Sequence, residues 1–178
     1  EDALFLIASE YVRTFGTFHR DKPFYGFAFD CNADNAQVFV CANTREALSE
    51  EARRYKTQSA EQYDHDTIDD IEEQLRWGLG NWEFQAFTTE GFSDAWNPIE
   101  AILVEAIPWG DEDRRGIEDF RTHFMETACR CMMRLESEGV LNALCTTDDF
   151  KTFVADHDET VKRSWSRYES IRSRDIRA

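Results

Sequence analysis

Basic side chains are scarce in this sequence. Lysine and arginine number 20 against 36 aspartates and glutamates, a formal charge of −16 over 178 residues. A surface of that sign repels phosphate backbones, whose binding depends on cations that neutralise them, and it repels anionic membrane surfaces. Nucleic acid and membrane are therefore not expected partners, whereas a basic protein is. Proline and glycine are also few, with three and eight residues. The sequence shows no internal repeat, no low-complexity segment and no linker long enough to divide it, so one domain over residues 1–178 is expected. No apolar run approaches the roughly 20 residues of a membrane span, and the opening EDALFLIASEYV lacks the basic region and small-residue site of a secretory leader. The expectation is a soluble, cytoplasmic protein. The five cysteines are odd in number and have no CxxC spacing, which argues against a disulfide framework or a zinc ribbon. A Cys31–Cys41 bridge is geometrically possible between two neighbouring strands, but buried free thiols are the preferred reading.

What is present is a core. Hydrophobic residues make up 42% of the chain and aromatics 13%, with 14 phenylalanines. That supply suits a packed domain burying roughly 70% of its unfolded surface. The organising stretch runs from Phe24 to Arg54. In Phe24–Cys31 the large Tyr25, Phe27, Phe29 and Cys31 alternate with Gly26, Ala28 and Asp30, the period of a strand with a helix packed closely on its small face. Asn32-Ala33-Asp34-Asn35 supplies turn chemistry, and Gln37–Ala42 returns as a second strand. Asn43 with Glu46 three residues later resembles a capping box opening a helix to about Tyr55.

Around this unit the spacing predicts helices. Leu4, Ile7, Ala8, Tyr11, Phe15 and Phe18 give an amphipathic helix over residues 2–20, ended before Pro23. Residues 56–63 read as a polar connector. Asp66 or Thr67 caps an acidic helix that buries Ile68, Ile71 and Leu75. Trp77 and Trp82 flank Gly78 and Gly80 in a turn, residues 82–87 alternate like a strand, and 88–93 read as a loop. Pro98 opens a helix containing Ile99, Ile102 and Leu103. Residues 108–113 form an acidic turn, the longest helix follows over Arg114–Ser137, and Gly139 ends it. Phe150–Ala155 reads as a short strand, and Asp158 as the cap of a last helix with Val161, Trp165, Tyr168 and Ile171. The fold class is α+β, a small sheet built on the aromatic hairpin and covered by helices.

Catalytic signatures are missing. No serine or cysteine lies in a nucleophile elbow, and Gly78 with Gly80 lacks the third glycine and lysine of a phosphate loop. Two Asp-His-Asp tripeptides, Asp64-His65-Asp66 and Asp156-His157-Asp158, could bind a divalent metal or supply a base with a raised pKa. Each stands beside a helix start, where aspartate is favoured as a cap, and the cap reading is preferred. No cofactor and no metal is expected. Arg76, Trp77 and Trp82 could line a small-ligand pocket, but core packing is the plainer reading. The remaining candidate is charge. Residues 66–138 carry 18 acids and six arginines, most of the net charge of the chain, while residues 159–178 are basic. A solvated face and a docking face for a basic protein both fit, the latter because charge complementarity speeds encounter and sets partner choice.

Three stretches carry a resemblance. Phe24-Tyr25-Gly26-Phe27-Ala28-Phe29, Asn43-Thr44-Arg45-Glu46-Ala47-Leu48, and Leu75-Arg76-Trp77 with Asn81-Trp82-Glu83-Phe84 resemble a bacterial domain-of-unknown-function family of about this length. Asp156-His157-Asp158 followed by Ser164 and Ser166 is similar to its closing segment, although Arg167-Tyr168 departs from the family's usual ending. The resemblance covers most of the chain and carries over no catalytic residue. Such families are often encoded beside secreted polymorphic toxins, so it implies an immunity protein for a cognate basic toxin. In that role Asp66, Asp69, Asp70, Glu72 and Glu73, with the turn Asp111, Glu112 and Asp113, would steer the partner, and exposed Trp96 or Trp109 would anchor it. A metal-dependent enzyme or metal-binding protein and a small-ligand-binding regulatory module are the alternatives.

Overall fold

Strand β1 (Phe24–Asn32) lies in the middle of a three-stranded sheet, and seven of its nine residues are buried. Strand β2 (Gln37–Thr44) returns antiparallel on one side, and β3 (Thr146–Asp156) lies parallel on the other. The computed structural model describes residues 1–85, 90–109, 114–157 and 159–175. Seven α-helices complete them: α1 (Asp2–Phe18), α2 (Arg45–Gln58), α3 (Ala60–Tyr63), α4 (Ile68–Leu75), α5 (Glu90–Ala106), α6 (Arg114–Ser137) and α7 (Val161–Asp175). The fold is α+β, with one hydrophobic core running from Leu4 to Ile171.

The hairpin forms as its alternation predicts, but its turn is more constrained than the polar residues suggest. After a 3-10 turn at Ala33–Asn35, Ala36 takes a left-handed conformation with φ 52°, a state that disfavours a residue with a Cβ by roughly 1–2 kcal/mol. Two helices hold it. The Trp96 indole of α5 donates to the Ala36 carbonyl at 3.0 Å, and Arg121 of α6 pairs with Asp34.

The two faces of β1 are filled differently. Phe27 and Phe29 lie on the face covered by helices, where Phe29 meets Phe92 of α5 at 6.4 Å between ring centroids. On the small face, the alternation predicts a closely packed helix, and the structure places aromatic rings there instead. A Cβ on Gly26 would sit 2.7 Å from the Trp82 indole. Phe153 of β3 stacks on Trp165 of α7 at 4.8 Å, and Trp77 meets Trp165 edge-on at 5.6 Å. A missing side chain opens a slot, and a flat indole fills it as well as a helix backbone does. Helix α1 covers the open end of the hairpin, Phe15 contacting Phe24 and Phe84.

Several boundaries differ from expectation. Asn43 is a buried strand residue, not a cap. Its side-chain oxygen accepts from the Thr44 and Glu83 amides, and its amide donates to the Tyr25 hydroxyl at 2.9 Å. Thr44 caps α2 instead, accepting from the Ala47 amide at 3.2 Å. Residues 56–63 contain the end of α2 and the short α3. In place of a strand at 82–87 there is a single bridge between Phe84 and Ala42, and Ala86 and Phe87 lie outside the described residues. Helix α5 begins at Glu90, eight residues before Pro98, so residues 90–93 are not loop and Pro98 is a helix-interior residue. Pro98 is exposed, which leaves the carbonyl it cannot bond open to water, and buried Phe92 and Trp96 keep the preceding turns in place. Strand β3 begins at Thr146, four residues earlier than predicted. None of the five cysteines is in a disulfide. Cys31 stands opposite Val38 and Cys41 opposite Ala28 in the hairpin register, and Cys145 is exposed where a buried thiol was expected.

Candidate partner-binding face

Helices α2 and α4 pack side by side and present the acidic residues singled out above. Their roles divide. Thr67 caps α4 in a reciprocal box, its hydroxyl accepting from the Asp70 amide at 3.2 Å while the Asp70 carboxylate accepts from the Thr67 amide at 2.8 Å. The Thr67 side chain and backbone together hold the Asp70 carboxyl below its ordinary pKa. Asp66 accepts from Gln74 at 3.1 Å, and Glu72 accepts from Ser49 of α2. Three of the five predicted acids are therefore engaged in building the helix. Asp69 and Glu73 are exposed. Asp111, Glu112 and Asp113 lie outside the described residues.

The predicted aromatic anchors also divide. Trp96 is buried, 4% exposed, and its indole is committed to the hairpin turn; it is not available to a partner. Trp109 is 60% exposed.

A groove of about 580 Å³ lies beside the start of α2, between that helix and the turn after α4. Glu46, Glu50, Glu51 and Glu83 line it, against Lys22 and Arg54. Both cations are taken, Lys22 by Glu83 and Arg54 by Glu51. Glu46 and Glu50, one turn apart on α2, are exposed and have no cation among the described residues. The signal was present in the sequence as an i,i+4 pair of glutamates, but nothing there placed Glu83 opposite them. Such a groove can accept a lysine or arginine side chain by charge-assisted hydrogen bonds.

A second polar group lies at the end of the sheet. Arg45 and Arg76 both pair with Asp149 of β3, and the Arg76 guanidinium lies over the Tyr25 and Trp77 rings at 5.2 Å from each centroid. The Asp149 carboxyl is held below its ordinary range by the Thr147 hydroxyl, then by Arg76 and Arg45, against the effect of burial. Burial pushes the Tyr25 hydroxyl up to about 12. The Tyr25 hydroxyl and the Trp82 indole both donate to the Arg76 carbonyl. These bonds tie the tryptophan turn to the sheet; Trp82 is 2% exposed and part of the core, and Trp77 packs against it.

The two Asp-His-Asp tripeptides face different surroundings. His65 is fully solvated next to Asp64. His157 lies 3.2 Å from Asp30 of β1, whose carboxyl is raised by burial and lowered in part by that histidine. Asp158 lies outside the described residues. Among the described residues no group of three His, Cys, Asp or Glu side chains is placed to hold a metal ion. Burial raises the Cys129 thiol to about 11 and the Cys131 thiol to about 12, which leaves both as thiols at neutral pH. No described helix is long and apolar enough to cross a membrane.

Comparison with known proteins finds one likeness. Residues 7–170 match the model of a family described as Domain of unknown function (DUF4303), most of the chain, as the aromatic strand and tryptophan-turn motifs implied. No curated protein and no solved structure matches the chain.

Proposed function

The chain belongs to the DUF4303 family, and we propose that it is a bacterial immunity protein that binds and neutralises a cognate basic toxin in the cytoplasm. The observation that carries this reading is the acid-lined groove at the start of α2, where Glu46 and Glu50 stand exposed with no ion pair among the described residues. With a net charge of −16, the chain draws a basic protein in from a distance and repels nucleic acid. The partner's lysine or arginine supplies the counter-charge to Glu46 and Glu50.

Co-expression with a secreted basic toxin, should one be encoded beside the gene for this chain, tests the reading. Rescue of growth, together with a complex that co-elutes on a sizing column, is the expected result. Unchanged toxicity with no complex would sink it. Within a complex, Glu46→Gln with Glu50→Gln should weaken binding roughly tenfold, a typical loss on removing charged partners from an interface.

A further inference from the structure

The exposed large hydrophobics lie on α1, on α5 and just past the end of α5. Among the described residues there are four: Leu6 at 66% and Phe18 at 76% on α1, Ile102 at 65% on α5, and Trp109 at 60% just beyond the end of α5. The two helices are neighbours, with the Tyr11 ring meeting Phe92 edge-on at 5.8 Å. On α5 the exposed Gly91, Ala95, Pro98, Ile102 and Ala106 recur at three- and four-residue spacing, which places them in one stripe. Leu6, Ile7 and Tyr11 of α1 join Gly91 and Ala95 in walling an apolar groove of about 390 Å³. The Trp109 indole donates to the Val104 carbonyl at 3.2 Å. Its polar atom is thus satisfied within the chain, and the ring can be covered without stranding a donor.

The α5 edge of this face carries charge of one sign. Residues 90–109 contain Glu90, Asp94, Glu100 and Glu105 and neither lysine nor arginine. Asp94 and Glu105 are exposed beside the stripe, and Glu10 of α1 stands at the groove. An apolar strip edged by unanswered acids is complementary to an apolar strip edged by bases. From this we infer that the α1–α5 face is the docking site for an amphipathic helix of a partner protein, one whose apolar stripe is flanked by lysine and arginine. The stripe from Gly91 to Ala106 spans about 22 Å at the rise of a helix, the length of some four turns. A second copy of the chain would set one acidic rim against another, and anionic lipid would meet the same repulsion. The inference takes the sign of the partner's charge from the binding role proposed above, and goes beyond it in naming a second face besides the α2 groove and the element that docks there.

The probe is a fluorescein-labelled, amidated 18-residue helix of leucine and lysine in amphipathic order, titrated with the folded chain and read by anisotropy. A leucine–glutamate peptide of the same pattern is the control. Leu6→Gln with Ile102→Gln removes apolar surface at constant charge, and Asp69→Asn with Glu73→Gln removes charge from α4. The wild-type chain is expected to bind the lysine peptide and not the glutamate peptide. The α1–α5 pair should raise Kd roughly tenfold or more, since truncating central anchors accounts for most interface energy. The α4 pair should change it by less than about threefold, as rim charges do. Trp109→Gln gives the same reading should the double variant fail to fold. Equal affinity for wild type and Leu6→Gln with Ile102→Gln would overturn the inference, because binding would then be diffuse attraction. So would sedimentation of the wild type as a dimer that this variant dissociates, because the occupant would be a second copy. Absence of rescue in the co-expression experiment, with peptide binding intact, removes the immunity reading and leaves this one standing.

Discussion

Helices α4 and α5 are both acidic, and they use their acids in opposite ways. On α4, Asp70 closes a capping box, Asp66 accepts from Gln74, and Glu72 ties the helix to Ser49 of α2. Its apolar residues Ile71 and Leu75 are buried. On α5, Glu100 alone takes a described side-chain bond, from Gln37 at 3.3 Å, and an exposed apolar stripe runs beside Asp94 and Glu105. Acid density therefore does not by itself mark a docking face. In α4 the acids answer needs of the helix, chiefly its unpaired first-turn amides. In α5 they border surface that water covers poorly and that nothing in the described chain covers.

The contrast assumes one rigid scaffold beneath both helices, so the largest effects should come from breaking that scaffold. Trp82→Ala empties the slot over Gly26 and is expected to lower unfolding free energy by about 3–5 kcal/mol in urea melts. Gly16→Ala would put a Cβ 2.2 Å from the Ala143 carbonyl oxygen, and the overpacking should lower stability by about 1–3 kcal/mol in the same measurement. Both variants should weaken any partner interaction through loss of fold. Thr44→Ala removes the cap of α2 and should lower stability by about 1 kcal/mol, with helix content by circular dichroism reporting the fraying.

Acid should act on α4 and on the N-terminal end of β3. The folded-state pKa values of Asp70 and Asp149 are depressed, so both favour the folded chain fully above the unfolded value near 3.9. That stabilisation is lost as pH falls through the folded values. Melting temperature should therefore drop on acidification below about pH 4, and Asp70→Asn and Asp149→Asn should each flatten the drop. The smallest effect belongs to the α5 face. Leu6→Gln with Ile102→Gln should alter stability by less than about 0.5 kcal/mol, as exposed substitutions do, while raising Kd roughly tenfold or more. A large loss of stability in that variant would mean the stripe is structural, and the contrast with α4 would disappear.

The hairpin was legible because alternation of period two over Tyr25–Cys31 has no competing helical reading. What packs on it was not: Gly26 announces a close approach, but no local signal says that Trp82 makes it. Strand β3 is longer than its sequence pattern shows because its opening residues Thr146–Asp149 are polar and none of them is buried, so they carry no apolar alternation. In α5 the proline suggested a start and Ile99, Ile102 and Leu103 suggested one buried face. The true phase is fixed by Phe92 and Trp96, and it turns Ile102 outward. The acidic part of the docking region was visible as composition, whereas the apolar part required knowing which way that helix faces.

The decisive measurement is complex formation between this chain and its proposed cognate basic toxin, compared for wild type, Leu6→Gln with Ile102→Gln, and Asp69→Asn with Glu73→Gln under native conditions. Wild type and the α4 variant should both form the complex and rescue growth, and the α1–α5 variant should do neither while melting normally. Loss of the complex in the α4 variant, with the α1–α5 variant still bound, would contradict the account.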